Sequence, residues 1–165
     1  MLKVAVLSSI FIMCVIMGLV KKKDLYFRKK EIEDFIFFIE TLKNDIFYRK
    51  LPVDIILKEK NLSCLNIFFS KMAESDVQPI FKRYEVVKKE VHRRMSLCNE
   101  DWKFLDELFS VLGKTDEVSQ YEILDRLLNE IRVYKKEVTA QNEKMGGFYV
   151  KMWLAVGALF VIICM

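Results

Sequence analysis

The single histidine, His92, is where a search for catalytic chemistry begins. Nucleophilic catalysis of the Ser-His or Cys-His kind needs an imidazole beside the nucleophile. His92 lies in a Lys- and Arg-rich stretch, residues 82–94, in which Glu85 and Glu90 are spaced to pair with neighbours one helical turn away. We interpret this stretch as a solvated helix face and predict a surface histidine.

Two pairs of adjacent carboxylates, Asp106 with Glu107 and Asp116 with Glu117, could in principle perform acid-base chemistry. Adjacent residues on a helix point in different directions, so we interpret both pairs as solubilising or capping groups. The sequence has no Gly-rich phosphate loop, no H-E-x-x-H motif and no acidic cluster at metal-ligand spacing. We therefore expect no catalytic residue, no cofactor and no metal site, and we predict that the protein is not an enzyme.

The four cysteines do not indicate a zinc site or a disulfide framework. Cys14 and Cys164 lie in apolar segments at the two ends, and Cys64 and Cys98 are 34 residues apart. No C-x-x-C pair is present.

Composition favours one all-α domain between two membrane segments. Only 5 Gly and 2 Pro occur in 165 residues, which favours long helices over short strands and turns. Residues 24–150 hold 22 basic and all 23 acidic residues, so the excess positive charge lies at the ends of the chain. A nearly neutral central part argues against nucleic-acid binding, which needs a basic face on the folded domain.

The first apolar segment, residues 4–20, contains 17 consecutive uncharged residues and is long enough to be a membrane span. The alternative is a cleavable signal peptide, whose apolar core is usually about 7 to 15 residues and ends in small residues. Here the segment ends in Lys21, Lys22, Lys23 and Asp24. We therefore expect a retained anchor.

The second apolar segment, residues 152–165, would reach only about 21 Å of a hydrocarbon layer of about 30 Å. Extending it back to Phe148 gives 18 residues, provided that Lys151 lifts its ammonium group to the lipid headgroups beside Tyr149 and Trp153. The alternative is a buried terminal helix of the soluble domain. That helix would need covering on every side.

The basic residues beside the two segments predict a cytoplasmic middle domain. Lys21, Lys22 and Lys23 follow the first segment, and Lys151 lies at the start of the second, with no basic residue after it. We expect a two-pass protein of the cell membrane with three parts. These are an N-terminal transmembrane helix with its basic flank (1–23), a cytoplasmic helical-bundle domain (24–147) and a C-terminal transmembrane helix (148–165).

Apolar periodicity predicts a bundle of about six helices. The expected ranges are 24–49, continuous with the first span, 51–60 with Pro52 in its first turn, 63–74, 79–97, 99–112 and a last helix beginning at 115–119. Asn99 is the expected cap of the fifth helix, and Gly113 its expected stop. The first and last helices should pack antiparallel, because both spans enter from the same side. Gly146 and Gly147 predict a flexible joint before the second span.

Several short motifs along the whole chain carry a family resemblance. They are Met1-Leu2-Lys3, Asp45-Ile46-Phe47-Tyr48 with Leu51-Pro52-Val53, Leu112-Gly113 with Asp116 and Gln120, and, most specifically, Asn142-Glu143-Lys144-Met145. On these residues the sequence resembles the stage III sporulation protein AB family of endospore-forming bacteria. It departs from the family pattern at Leu51 and at Gly146-Gly147.

The resemblance implies a fold similar to the cytoplasmic domain of type II secretion F (platform) proteins. It also implies a scaffold in the mother-cell (outer forespore) membrane that docks a secretion-type ATPase, stage III sporulation protein AA, and anchors it to the channel. Candidate contact residues are Pro52, Gly113, Asp116, Gln120, Asn142, Glu143, Lys144 and Met145. Residues 142–145 are equally compatible with a polar connector that ends the helix before the bilayer.

Two alternatives to this function stay open. One is a platform subunit of a general secretion or pilus system, although those usually carry a duplicated domain that this sequence lacks. The other is a membrane-anchored regulator, which would need a ligand pocket or a large domain outside the membrane. The expected partners are membrane lipid, the ATPase and other channel proteins, and self-association is compatible with all three functions.

Overall fold

Six α-helices, and no β-strand, make up the part of the chain that the structure describes, residues 2–59, 64–112 and 117–164 of a computed structural model. They follow one another as α1 (Leu2–Phe47), α2 (Val53–Glu59), α3 (Asn66–Glu74), α4 (Ile80–Val91), α5 (Asn99–Val111) and α6 (Glu117–Cys164). The all-α prediction and the expected number of helices are confirmed for these residues.

The first helix, α1, contains both the first apolar segment and the amphipathic stripe that follows it. Its 46 residues include no proline and a single glycine, Gly18, so nothing in the sequence interrupts the helix. After Phe47 the chain leaves the helix through Lys50, whose positive φ of 52° is a left-handed conformation. The Leu51 amide then donates to the carbonyl of Asp45 at 3.2 Å. The predicted continuity of α1 is confirmed.

The chain divides into two units, which are described separately. The bundle unit is Arg28–Lys136, and the terminal unit consists of the residues up to Phe27 and from Glu137 onward. Both α1 and α6 therefore contribute residues to both units. The division into 1–23, 24–147 and 148–165 remains a prediction.

A cluster of aromatic rings forms the centre of the bundle unit. The Phe68 ring on α3 lies 5.1 to 6.3 Å from the ring centroids of Phe69, Tyr84, Trp102 and Phe109. Tyr84 on α4 also stacks on Phe109 on α5 at 4.6 Å. Such pairs contribute roughly 0.5–1.5 kcal/mol each beyond the burial of their area. The three short helices thus share one core.

The first and last helices line this core with the stripes that their periodicity predicts. The buried apolar side chains of α1 are Ile32, Phe35, Ile36, Phe38, Ile39 and Leu42, and those of α6 in this unit include Leu124, Leu127, Leu128 and Ile131. Ion pairs show the direction of packing: Glu33 pairs with Lys135 at 3.1 Å, and Lys43 pairs with Asp125 at 2.7 Å. Along these pairs, the residue numbers of α1 increase while those of α6 decrease. The predicted antiparallel packing is therefore confirmed within the bundle unit.

The start of α2 differs from the prediction by two residues, and the cap of α5 differs by one. α2 begins at Val53, so Pro52 precedes the helix and does not occupy its first turn. The cap of α5 is Cys98, and Asn99 is the first helical residue, so the prediction of Asn99 as cap is wrong. The cap lies there because the carboxylate of Asp101 accepts the Cys98 backbone N–H at 2.7 Å, which satisfies a donor that the helix leaves open.

The interpretation of residues 82–94 as one solvated helix face is corrected at two points. α4 ends at Val91, earlier than predicted. Arg83, within this stretch, is 4% exposed. Its guanidinium donates to the Val77 carbonyl at 3.0 Å and to the Asp54 carboxylate at 2.7 Å. A buried guanidinium needs such partners because its desolvation is costly.

In the terminal unit, α1 and α6 also run antiparallel, and they approach closely at glycines. A Cβ atom built on Gly18 would lie 3.2 Å from the Cβ of Trp153, and one built on Gly157 would lie 3.0 Å from a ring carbon of Phe11. Larger side chains at these two positions would push the helices apart, so the glycines permit the contact.

The two adjacent glycines of α6 do not interrupt it. The helix is continuous through Gly146 and Gly147, where the sequence predicts a flexible joint, so that joint is not found. Gly146 is buried, and a Cβ atom there would lie 3.6 Å from the Cγ of Lys22. Packing against α1 at Gly146 helps to offset the cost of about 1 kcal/mol that each glycine adds to a helix.

One helical stretch of the described residues, Ser119–Ile162, is long and apolar enough to cross a membrane. Only 11% of its most apolar window is buried, whereas a core helix would be mostly buried. By length and composition, the C-terminal helix therefore meets the expectation of a span. No second helix among the described residues meets the same criterion.

Candidate functional site

The terminal motif, Asn142, Glu143, Lys144 and Met145, lies on α6 in the terminal unit. Asn142 is half-buried, and its side-chain amide donates a 3.1 Å hydrogen bond to the main-chain carbonyl of Leu25 on α1. The other three side chains are exposed. The motif therefore combines one residue that joins two helices with three that a partner can reach.

The bond from Asn142 fixes the register of α6 on α1 in this unit. A helix carbonyl has a second lone pair, so Leu25 can accept from Asn142 and keep its bond within the helix. Glu143 and Lys144 form no ion pair with other described residues. Their charges can therefore take part in charge-assisted hydrogen bonds with another protein.

Two other motif residues, Pro52 and Gln120, belong to the bundle unit. Pro52 is exposed, and its carbonyl accepts the amide of Ile55 at 3.0 Å as α2 begins. Gln120 is buried on α6, beside Tyr121, whose ring lies 4.8 Å from that of Phe47 near the end of α1. Gln120 is therefore not available as a surface contact. Pro52 and Gln120 lie in the bundle unit, whereas the terminal motif lies in the terminal unit.

Of the remaining candidates, Gly113 and Asp116 lie outside the described residues. Asp106, interpreted from the sequence as a solubilising or capping group, is engaged in the fold: its Oδ1 accepts from the hydroxyl of Tyr84 and from the ammonium of Lys88, both at 2.6 Å. Burial and this bond to Asp106 raise the pKa of the Tyr84 hydroxyl well above its usual value.

The basic flank lies on the surface of the terminal unit. Lys21, Lys22 and Lys23 on α1 and Lys151 on α6 are all exposed. The stem of Lys22 lies beside the backbone of Gly146, as the 3.6 Å approach indicates.

A partly buried polar cluster, formed by Arg28, Cys98, Asp101 and Tyr134, joins α1, α5 and α6 in the bundle unit. The Arg28 guanidinium donates to both carboxylate oxygens of Asp101, at 2.8 and 3.0 Å, to the Cys98 sulfur at 3.0 Å and to the Tyr134 hydroxyl at 2.9 Å. Tyr134 in turn donates to Asp101 at 2.8 Å.

Charge and burial oppose each other in this cluster. Burial acts to raise the pKa of Asp101, but hydrogen bonds from Arg28, the Cys98 amide and Tyr134 outweigh burial, and the pKa lies below its usual value. The bond to Asp101 likewise raises the pKa of Arg28. The pair is therefore fully charged at neutral pH. The cluster has a structural role, because each of its polar groups bonds to another member of the cluster.

Two further carboxylates of α1 bind main-chain amides of loops. Glu31 is 6% exposed, and its two oxygens accept the Ser96 amide at 2.9 and 3.2 Å. Burial raises the pKa of Glu31 to about 7. Asp34 accepts the amide of Cys64 at 2.7 Å. The sequence analysis missed these roles, and the only available signal was a carboxylate inside an otherwise apolar helical stripe.

A surface cavity of about 510 Å³ lies along α4 and α5. It is lined by Phe81, Glu85, Lys88, Lys89, His92, Arg93 and Asp106. The His92 ring is half-buried and stacks on Trp102 at 5.5 Å, so it is more covered than the predicted surface histidine. Among the described residues, no group of three His, Cys, Asp or Glu side chains could hold a metal ion.

Helices packed around an aromatic core, with an apolar C-terminal helix, define a small all-helical protein. Comparison with known families matches residues 3–165 to the family described as stage III sporulation protein AB. The chain belongs to the stage III sporulation protein AB family, which confirms the resemblance found in the sequence motifs.

Comparison with solved structures gives a chain titled "Stage III sporulation protein AB (SpoIIIAB)", with a TM-score of 0.61 and 18% sequence identity. The alignment covers 71% of this chain and 97% of that chain. At this identity the likeness supports the fold alone. No curated protein matches the sequence.

Proposed function

We propose that this protein is a non-enzymatic membrane platform of the channel complex that links mother cell and forespore. In this proposal its helical bundle docks the stage III sporulation AA-type secretion ATPase. Membership of the stage III sporulation protein AB family supports the sporulation context. The observation that carries the platform role is that α1 and α6 each contribute both to a packed bundle and to an apolar terminal unit.

The side chains of the terminal unit support insertion of both ends in the bilayer. Large apolar side chains are exposed on α1 (Ile12, Met13, Ile16 and Leu19) and on α6 (Leu154, Val156, Leu159, Phe160 and Ile162). Exposing such a surface to water costs about 25 cal/mol of free energy for each Å², and lipid removes this cost. A first span at residues 4–20 would therefore accompany the C-terminal one.

In this proposal the membrane is that of the mother cell, and the basic flank supports a bundle on its cytoplasmic side. Lys21, Lys22, Lys23 and Lys151 lie at the ends of the apolar segments that are nearer to the bundle in sequence. Basic residues beside a span favour the cytoplasmic side.

Two anchors suit a docking role. A soluble ATPase that acts on a membrane channel needs a binding surface held near the bilayer, where its effective concentration is high. Glu143 and Lys144 are exposed on α6, and among the described residues neither has an ion-pair partner. They are therefore the proposed docking contacts.

The test is recovery of the ATPase with the tagged full chain from sporulating cells. Changing Glu143 and Lys144 to Ala should reduce recovery of the AA-type ATPase five- to thirty-fold, the effect of about 1–2 kcal/mol. The matched control is Lys136→Ala with Glu137→Ala, an exposed pair of opposite charges seven residues earlier on the same helix.

The comparison separates docking from folding. Equal recovery by the wild-type chain and both double variants would contradict the docking role of Glu143 and Lys144. Absence of any ATPase or channel protein with the wild-type chain would contradict the platform proposal. Helical circular dichroism should be the same for all three proteins.

A further inference from the structure

Five lysines of the terminal unit are exposed and have no carboxylate partner among the described residues. They are Lys21, Lys22 and Lys23 on α1, and Lys144 and Lys151 on α6. The described acidic side chains of this unit are Asp24, Glu137 and Glu143, so positive charge is in excess. Repulsion among unpaired ammonium groups favours an anionic ligand.

Interhelical contacts bring the lysines of the two helices to one level. The Cγ of Lys22 lies 3.6 Å from a Cβ built on Gly146, and Asn142 bonds to Leu25. Residues 21–23 of α1 therefore lie beside residues 144–147 of α6.

Lys151 lies on the same face of α6 as Lys144, and its long stem lets its ammonium group reach a headgroup layer. Lys151 follows Lys144 by seven residues, which is about two turns, the same helix face and about 10 Å of axis. The polar regions of a bilayer add roughly 5–8 Å on each side of the hydrocarbon. Tyr149 and Trp153, both half-buried, flank Lys151 and are residues that favour the same layer.

We propose that four of these lysines, Lys21, Lys22, Lys23 and Lys151, form a binding site for the phosphate groups of anionic phospholipids, which leaves Lys144 to the proposed ATPase contact. The proposal rests on the membrane insertion included in the proposed function. Lysine suits this ligand because its ammonium is a mobile point charge that can reach several phosphates, whereas fixed bidentate recognition favours arginine. Apolar side chains that continue along both helices place the acyl chains next to the headgroups, which selects a lipid over free phosphate.

The test uses the full chain reconstituted in phosphatidylcholine bilayers with trace spin-labelled phosphatidylglycerol or spin-labelled phosphatidylcholine. Phosphatidylglycerol should associate with the protein about fivefold more strongly, the factor expected for one lysine near anionic headgroups. Changing Lys21, Lys22 and Lys23 to Gln should lower this preference at least twofold, because only Lys151 of the site remains. The matched control changes three exposed lysines of the bundle unit to Gln, Lys82, Lys103 and Lys136, and should retain it.

Three other results would each contradict the proposed lipid site, and they can be told apart. Equal association of both lipids with a fully inserted protein would contradict the lipid site and leave the platform proposal intact. Loss of the preference in millimolar inorganic phosphate, but not in chloride of the same ionic strength, would assign the lysines to free phosphate. Recovery of the chain in the aqueous fraction would contradict membrane insertion, and the lipid site with it.

Discussion

At the scale of single residues, the bundle unit is held together by an ion pair whose carboxylate, Asp101, is almost fully buried. Asp101 is 2% exposed and accepts four hydrogen bonds, from Arg28 (two), Tyr134 and the Cys98 amide. A buried ion pair of this kind adds little net stability compared with apolar packing. Removing one partner is costly, however, because the other charge is left buried and uncompensated.

Asp101→Asn should therefore destabilise the protein by about 3 kcal/mol, since the Arg28 guanidinium loses its counter-charge. Chemical unfolding of the full chain in detergent, followed by circular dichroism, measures the change. Glu107→Gln is the control, because its pair with Arg126 is largely exposed and solvent screens the attraction, so its loss should change stability little. Equal stability of the two variants would contradict the stabilising role of the pair between Asp101 and Arg28.

Glu31 should make stability depend on pH. Burial raises its pKa to about 7 from 4.5, so the folded chain holds this proton more tightly than the unfolded chain. The resulting stabilisation is complete below about pH 4.5 and is lost as the pH rises through 7. Between pH 5 and 8 the free energy of unfolding should fall by about 2 kcal/mol relative to Glu31→Gln.

The measurement is urea unfolding of both proteins across that pH range. Asp101 does not add to the effect, because its pKa is lowered and it titrates below this window. Parallel pH profiles for the wild type and Glu31→Gln would contradict the assignment.

At the scale of helices, periodicity was a sound guide where packing is regular. The spacing of Ile32, Phe35 and Ile39 predicted the buried face of α1, because an apolar stripe is a local property of a helix. The polar cluster could not be found in this way. Arg28 and Asp101 are 73 residues apart, and Arg28 follows a run of lysines that indicates a membrane flank.

Helix ends and glycines were harder to predict than stripes, for a related reason. Asn99 is a better cap by residue type than Cys98, but the Asp101 carboxylate already satisfies the amide that a cap would serve. The Gly146-Gly147 pair is typical of a flexible joint. The packing of Gly146 beside Lys22 could not be predicted, because it is a contact between segments that are distant in the sequence. Of the candidate site, the sequence located Asn142 on its helix but not its bond to Leu25.

The antiparallel contact of α1 and α6 in the terminal unit predicts a disulfide cross-link. A Cβ built on Gly157 lies 3.3 Å from the Cβ of Cys14, close to the roughly 3.5–4.5 Å that a disulfide requires. Gly157→Cys, in a chain that keeps Cys14 but has Cys64, Cys98 and Cys164 changed to Ser, should form a disulfide with Cys14 when a membrane-permeant oxidant is added to take up the two electrons. After trypsin cleavage, the two fragments should stay together until a reductant is added.

Gly147→Cys in the same background is the control for this cross-link, because no atom lies within 4 Å of a Cβ at that position. Its fragments should separate without a reductant. Cross-linking at position 147 in preference to 157 would contradict the register.

For the whole molecule, the two-pass proposal makes the carboxyl terminus extracytoplasmic. Alkaline phosphatase is active only outside the cytoplasm, so it should be active when fused after Met165. A fluorescent protein that fails to fold when exported unfolded should be dark when fused at the same place. The physical reason is that the lysines before the second apolar segment are retained on the cytoplasmic side. A fluorescent C-terminal fusion would contradict the proposed topology.

The pairing of the first helix with the last also sets an order of biosynthesis. Arg28 meets Tyr134 across 106 residues, and Leu25 meets Asn142 across 117. A ribosome therefore exposes α1 well before the segment that completes its packing exists. A transcript truncated before codon 117 would encode a nascent chain whose apolar stripe never acquires this cover, and quality-control proteases would be expected to remove it.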